Sequence, residues 1–127
     1  MQCSVCKNVK HDTEFSPSEL KPQKRRPNTK PSLRCLECMA VNKLKSRYNL
    51  TVEDYINMYE HQDGKCAICD LKPQQKDFYI DHDHSTGRVR ALLCKHCNSG
   101  IGLLKECPRI MHNAIKYVAY FSTLKTL

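Results

Sequence analysis

Eight of the nine cysteines fall in four Cys-x-x-Cys pairs: Cys3/Cys6, Cys35/Cys38, Cys66/Cys69 and Cys94/Cys97. Nothing else in the chain constrains its fold as strongly. A Cys-x-x-Cys turn can place two thiolates on one metal ion, and two such turns complete a tetrahedron of sulfurs. The chain needs such staples, because its 127 residues include three Phe and no Trp, too few large apolar side chains for a substantial core. The opening run Met1 to Cys6 does not read as a signal peptide. No apolar run approaches the length that spans a bilayer. The expectation is a cytoplasmic protein with no membrane partner, whose paired cysteines bind two structural Zn²⁺ ions rather than forming disulfides. Cys107 is left over and is expected to be a free, buried thiol.

The two clamps differ in what they enclose. Cys3, Cys6, Cys35 and Cys38 bracket an insert of 28 residues. Its stretch from Lys21 to Arg34 holds six basic residues and three prolines and no acid. Such composition disfavours a packed helix or strand and suggests a mobile basic loop. Lys21, Lys24, Arg25, Arg26, Lys30 and Arg34 are therefore candidate contacts to a polyanion backbone; the plainer reading is a solvated linker. The formal net charge is +8, and it is uneven: residues 1–50 carry 11 Lys/Arg against 4 Asp/Glu, residues 51–127 carry 10 against 9. The electrostatic grip on a polyanion such as DNA is expected in the N-terminal part.

Cys66, Cys69, Cys94 and Cys97 bracket 24 residues of a different kind. Phe78 to Ile80 reads as a short strand that runs into Asp81-His82-Asp83-His84. Ser85-Thr86-Gly87 reads as a turn, and Arg88 to Leu93 as a second strand. Upstream, residues 39–48 suit a helix, and Thr51 caps another with Glu53 and Asp54 at its positive end. Val52, Tyr55, Ile56 and Tyr59 repeat at helical spacing, and Gly64 is the expected stop. A helix is expected to start near Cys97 and Asn98. A last one opens at Pro108, with Ile110, Met111, Ala114, Val118 and Phe121 along one face.

The chemistry sits inside the second clamp. A filled sulfur tetrahedron leaves no open position, so the zincs should be structural. Asp81 and Asn98 offer hard oxygen donors suited to Mg²⁺ or Mn²⁺. His82 suits a general base near neutral pH, and strand alternation turns it away from Asp81. Asn98 on its own reads more readily as a helix cap; only its place directly after Cys97 raises it to a ligand. His84 either contacts phosphate or orients the site; the plainer reading, a structural histidine behind the site, stands equally. Asp83 serves its loop or holds an arginine. Arg88 and Arg90 are candidate phosphate contacts, although arginines on the wet face of a strand are as common. His96 could replace a thiolate on zinc, but four sulfurs suffice. His11, His61 and His112 read as ordinary surface or core residues.

These residues resemble a known family. Cys66-x-x-Cys69, Asp81-His82-Asp83-His84, Gly87-x-Val89-Arg90-x-Leu92-Leu93-Cys94-x-x-Cys97-Asn98 and Gly102 look like the recombination endonuclease VII family of phages, which are His-Me finger nucleases. The resemblance spans roughly residues 60–120. It implies an α+β fold built on a small zinc-stapled ββα-metal core with flanking helices; the N-terminal four-cysteine zinc knuckle lies outside this match and is similar to those of other small phage and restriction nucleases with two zincs. It also implies Mg²⁺ on Asp81 and Asn98, His82 as base, His84 assisting, and products with 5′-phosphate and 3′-hydroxyl ends. Two positions depart from the pattern: Tyr79 where a His stands two residues before the Asp, and Ile101 where an acid stands three after the Asn.

The domain reading is a knuckle with its basic loop over residues 1–48 and a nuclease core over 49–127. The leading function is a metal-dependent DNA endonuclease that resolves or debranches junctions, acting as a homodimer on duplex or branched DNA. If phage-encoded, it would work in the host cytoplasm. A site-specific restriction or nicking enzyme is the alternative, and a non-catalytic zinc module that binds DNA is the rival of another class. The last has no need of Asp81, His82 and Asn98.

Overall fold

The two halves of each cysteine clamp reach their sulfurs by different backbone devices, and the same two devices occur twice. The computed structural model describes residues 1–15 and 34–124. It divides into two compact units, Met1–Tyr55 and Ile56–Leu127. Lys21, Lys24, Arg25, Arg26 and Lys30 lie outside the described residues.

In the first unit the chain turns tightly around Cys3. The Lys7 N–H donates to the Cys3 carbonyl and the Cys3 N–H to the Asn8 carbonyl, both at 3.0 Å. The turn is completed by Lys7 in the left-handed region at φ 62°. The second pair sits on helix α1, Leu36–Tyr48, with Cys35 at its N-cap. The helix starts earlier than the expected residue 39, because Cys35 must leave helical geometry to join the clamp. Phe15 bridges to Cys35 in antiparallel fashion and is buried with Cys3 and Cys35. Asn49 closes α1 in the left-handed conformation at φ 54°.

Helix α2, Val52–His61, follows. Thr51 and Asp54 cap each other reciprocally: Asp54 N–H donates to Thr51 Oγ1 at 3.1 Å, and Thr51 N–H to Asp54 Oδ2 at 2.8 Å. Burial falls on Tyr55, Met58 and Tyr59, whereas Val52 and Ile56 of the expected apolar face are exposed. The helix ends at His61, and Gly64, the expected stop, closes the turn that follows, its N–H bonding the Tyr59 carbonyl at 3.0 Å. Gly64 has φ +63°, and a Cβ there would meet Tyr59 Oη at 2.9 Å.

The second unit repeats the tight turn. Asp70 N–H donates to the Cys66 carbonyl, Cys66 N–H to the Leu71 carbonyl, and Asp70 has φ 59°. Strands β1, Tyr79–His82, and β2, Val89–Leu93, form a two-stranded antiparallel sheet. Tyr79 pairs with Leu93 and Ile80 with Leu92, but His82 pairs with Val89. The register therefore slips between Ile80 and His82, and Arg90 and Ala91 together oppose Asp81. The loop between the strands hangs on Asp83, whose Oδ1 accepts from Ser85 N–H, Ser85 Oγ and Thr86 N–H. Gly87 completes the turn at φ 74°.

Helix α3, Lys95–Leu103, begins directly after Cys94, which is its N-cap, and it packs against β1. Leu93 and the cysteines form the buried centre, with Phe78 and Ile101 packed on it. Leu92 is fully buried. The outer edge of β2 is closed by a side chain: Gln62 Nε2 donates to the Leu92 carbonyl and its Oε1 accepts from the Leu92 N–H, both at 2.9 Å. Gln62 thereby satisfies an edge that would otherwise template pairing with another strand.

α3 ends in a Schellman motif. Lys105 N–H bonds the Gly102 carbonyl and Glu106 N–H the Ile101 carbonyl, both at 2.9 Å. Lys105 and Glu106 have φ 57° and 50°, consecutive left-handed residues that are not glycine. Each costs about 1–2 kcal/mol relative to ordinary backbone. Helix α4, Pro108–Leu124, follows. Ile110, Met111 and Ala114 are half-buried, but Ile115, Tyr117, Val118, Tyr120 and Phe121 are exposed. Cys107 is a free thiol, but half-buried where full burial was expected. No described helix is long and apolar enough to cross a membrane.

Candidate active site

The four sulfurs of each clamp converge. Within Cys3, Cys6, Cys35 and Cys38, and within Cys66, Cys69, Cys94 and Cys97, all ligand atoms lie within 4.8 Å of one another. Cys3 and Cys38 Sγ are 3.8 Å apart, Cys69 and Cys94 Sγ 3.8 Å, and Cys6 and Cys35 Sγ 4.0 Å. Four sulfurs about 2.3 Å from a zinc ion sit about 3.8 Å from each other, so these spacings fit Zn²⁺. They are far too long for disulfides.

Backbone N–H groups stabilise thiolates in both clamps. Cys3 Sγ accepts from the N–H groups of Val5 and Cys35, and Cys66 Sγ accepts from the N–H of Cys94. Hydrogen bonding, led by the Cys35 N–H, lowers the Cys3 pKa to about 6. Burial pushes Cys66 up, but the surrounding N–H donors outweigh it and bring it to about 6. Their neighbours move the other way. Cys38 rises to about 12, first through its contact with Cys35, and Cys97 rises through burial and its contact with Cys94. Zinc would take thiolate from all four, which is the chemistry this donor set serves.

On the hairpin, Asp81 is 6% exposed, the buried acid of the described residues. Arg90 grips it with two parallel bonds, Nε to Oδ2 at 2.6 Å and Nη2 to Oδ1 at 2.9 Å. The slipped register brings the two side chains opposite each other. A bidentate guanidinium is the strongest partner available to a buried carboxylate. Arg90 is itself driven well above its ordinary pKa, first by Asp81 and then by Glu106.

The network continues outward. Arg90 Nη1 donates to Glu106 Oε2 at 3.1 Å, and Glu106 Oε1 lies 3.4 Å from His84 Nε2. The His82 and His84 rings are 4.7 Å apart, tilted by 36°. Asp81, His82, His84 and Arg90 are thus gathered at one end of the hairpin. Asp83 serves the loop, and its hydrogen bonds, led by the Ser85 hydroxyl, hold its pKa down at about 2.

Asn98 lies in the first turns of α3, and its N–H donates to the Cys94 carbonyl at 3.0 Å. It is not the helix cap; Cys94 is, with its Sγ accepting from Cys97 N–H. The helix starts two residues before the expected point. The oxygen donors suit a hard divalent ion: each Asp81 oxygen accepts one hydrogen bond from Arg90 and retains a second lone pair.

Arg88 is exposed just before β2. In the first unit, Arg34 lines a groove of about 240 Å³ with Met39, Asn42, Lys43, Ser46 and Arg47. Sequence reasoning missed Glu106 and Gln62. Nothing in their spacing signals a role, except that Glu106 is an acid set just ahead of the helix that opens at Pro108.

The chain is 42% identical over 73 residues to the "Gene 59 protein" of Mycobacterium phage D29, covering 56% of this chain and 44% of that protein. It is 40% identical over 73 residues to the "Gene 59 protein" of Mycobacterium phage L5, with the same coverage of each. The chain thus spans less than half the length of these curated relatives. Among solved structures it is similar to the beta-beta-alpha-Me type II restriction endonuclease Hpy99I, with a TM-score of 0.43, 22% identity, and coverage of 94% of this chain and 64% of that one. The sequence pattern of the recombination endonuclease VII family matches residues 41–120, well over half of the chain. The chain belongs to the recombination endonuclease VII family.

Proposed function

We propose that this chain is a DNA endonuclease that hydrolyses phosphodiester bonds with the help of a divalent cation. The observation that carries the reading is the buried, charged Asp81 at the end of a hairpin, beside the His82 and His84 rings. A zinc clamp alone requires none of these groups.

In this reading, Asp81 and Asn98 would hold Mg²⁺ or Mn²⁺, and the ion would supply Lewis-acid stabilisation of charge at the scissile phosphate. His82 accepts the proton from the attacking water as the new O–P bond forms and the P–O3′ bond breaks, the departing 3′ oxygen taking a proton from solvent. His84, whose ring lies 4.7 Å from that of His82, assists at the site. Arg88 and the basic residues of the N-terminal unit, Arg34, Lys43 and Arg47 among them, bind the DNA backbone without reading sequence. The two clamps hold structural zinc. Residues 1–48 serve as the knuckle and 49–127 as the nuclease core, working as a homodimer in the cytoplasm of the phage host.

The test is incubation of supercoiled plasmid with the zinc-loaded protein and Mg²⁺, with and without EDTA. Cleavage that EDTA stops and that falls about 10²–10⁴-fold in His82→Ala is expected. Undiminished cleavage by that variant would show that another group is the base. A panel of four-way junctions, flaps and linear duplex then separates junction resolution from restriction-type cutting; preference for branched DNA is expected.

A further inference from the structure

We propose that Glu106 is a positioning residue of this site, its two carboxylate oxygens fixing His84 and Arg90 relative to Asp81. The proposal rests on the nuclease reading and adds a residue to it. Glu106 Oε2 accepts from Arg90 Nη1 at 3.1 Å, and Oε1 faces His84 Nε2 at 3.4 Å. One side chain therefore ties the loop carrying His84 to the strand carrying Arg90. Arg90 passes the restraint on to Asp81 through its two short bonds.

The backbone delivers Glu106 to this place by an unusual route. The Schellman bonds at the end of α3 hold Lys105 and Glu106 in left-handed geometry, although neither is glycine. Two such residues in succession persist where surrounding structure fixes them, and such sites are concentrated at functional centres. Glu106 is also the shielded partner: its side chain is 27% exposed, against 73% for His84. An exposed imidazole gains orientation from a partner that is itself held. Without Glu106, His84 has the rotamer freedom of a loop side chain, and Arg90 keeps Asp81 but loses its outer anchor.

The full-length, zinc-loaded protein is compared with Glu106→Ala and with the nearly isosteric Glu106→Gln. Zinc content and thermal melting establish that each is folded. Cleavage kinetics in Mg²⁺ give kcat and KM separately, and ¹⁵N spectra report the His84 ring nitrogens and the Arg90 Nε–H. A fall in kcat of roughly 10- to 100-fold is expected for Glu106→Ala, with KM changed by less than about threefold. The His84 and Arg90 signals should shift together. Glu106→Gln retains one acceptor oxygen, so its kcat should lie between the two, and it carries the test if the alanine variant loses zinc. Wild-type kcat in both variants, with the His84 signal unmoved, would overturn the positioning role while leaving the nuclease reading intact. Absence of Mg²⁺-dependent cleavage by the wild type would instead overturn the nuclease reading, and any catalytic role of Glu106 with it.

Discussion

The two cysteine clamps are built alike and used differently. In each, the first pair lies on a tight turn closed by a left-handed residue, Lys7 or Asp70. In each, the second pair starts a helix whose N-cap is a cysteine, Cys35 or Cys94. Even the hydrogen bond from that cysteine's N–H to the first sulfur recurs, at 3.4 Å and 3.3 Å. What differs is the cargo. The second clamp encloses a hairpin ending in Asp81 and His82, and Asn98 follows its last cysteine. At the same place in the first clamp stands Met39, which has no hard oxygen to offer. The comparison separates scaffold from cargo: four converging sulfurs join a turn to a helix in both clamps, and the residues carried between differ in the chemistry they could support.

The largest expected effect comes from removing one zinc at a time. Cys66→Ser should lose one of two zinc ions, unfold the hairpin and abolish cleavage, since structural zinc contributes on the order of 10 kcal/mol. Cys3→Ser should also lose one ion yet retain cleavage of a short duplex, with weaker DNA binding. Zinc analysis and nuclease assays check both. Equal loss of cleavage in the two variants would mean that the clamps do not divide their labour.

Core truncations sharpen the same contrast at smaller size. Phe15→Ala and Leu92→Ala each remove a fully covered side chain and should cost roughly 3–4 kcal/mol in denaturant unfolding. Only Leu92→Ala should also impair cleavage, because Leu92 pairs with Ile80 beside Asp81. Gly64→Ala should cost about 1–2 kcal/mol, as φ +63° disfavours a side chain and Tyr59 Oη blocks the added carbon.

The smallest effect is a gain. Lys105 occupies the left-handed position where helices ordinarily place glycine, so Lys105→Gly should raise stability by about 0.5–1 kcal/mol. Because the Schellman bonds survive, Glu106 should stay in place and cleavage should be unchanged. Greater stability with lost cleavage would show that the strained pair itself sets the site.

The legible features were those written in local pattern. The four Cys-x-x-Cys pairs, the hairpin around Ser85-Thr86-Gly87, the Thr51 cap and the Gly64 stop all follow from nearest neighbours along the chain. The Asp81–Arg90 pair does not. It depends on a slip of register that places two residues of β2 against one of β1, and alternation alone gives no sign of it. Arg90 therefore read as a phosphate contact, whereas three of its guanidinium nitrogens donate to the carboxylates of Asp81 and Glu106. Glu106 was illegible for the same kind of reason, since its place is set by left-handed backbone at residues that seldom adopt it. Asn98 read as near a helix start, and the cysteine before it by four residues proved to be the cap.

The second clamp, and not the first, is expected to present a hard-metal site to a phosphate. Anomalous diffraction from zinc-loaded crystals soaked in Mn²⁺ tests it most directly. Two zinc peaks are expected at the cysteine clusters, and one manganese peak contacting the Asp81 carboxylate and the Asn98 amide oxygen, absent in Asp81→Ala. Manganese bound elsewhere, or an Asp81 and Asn98 too far apart to share one ion, would contradict it.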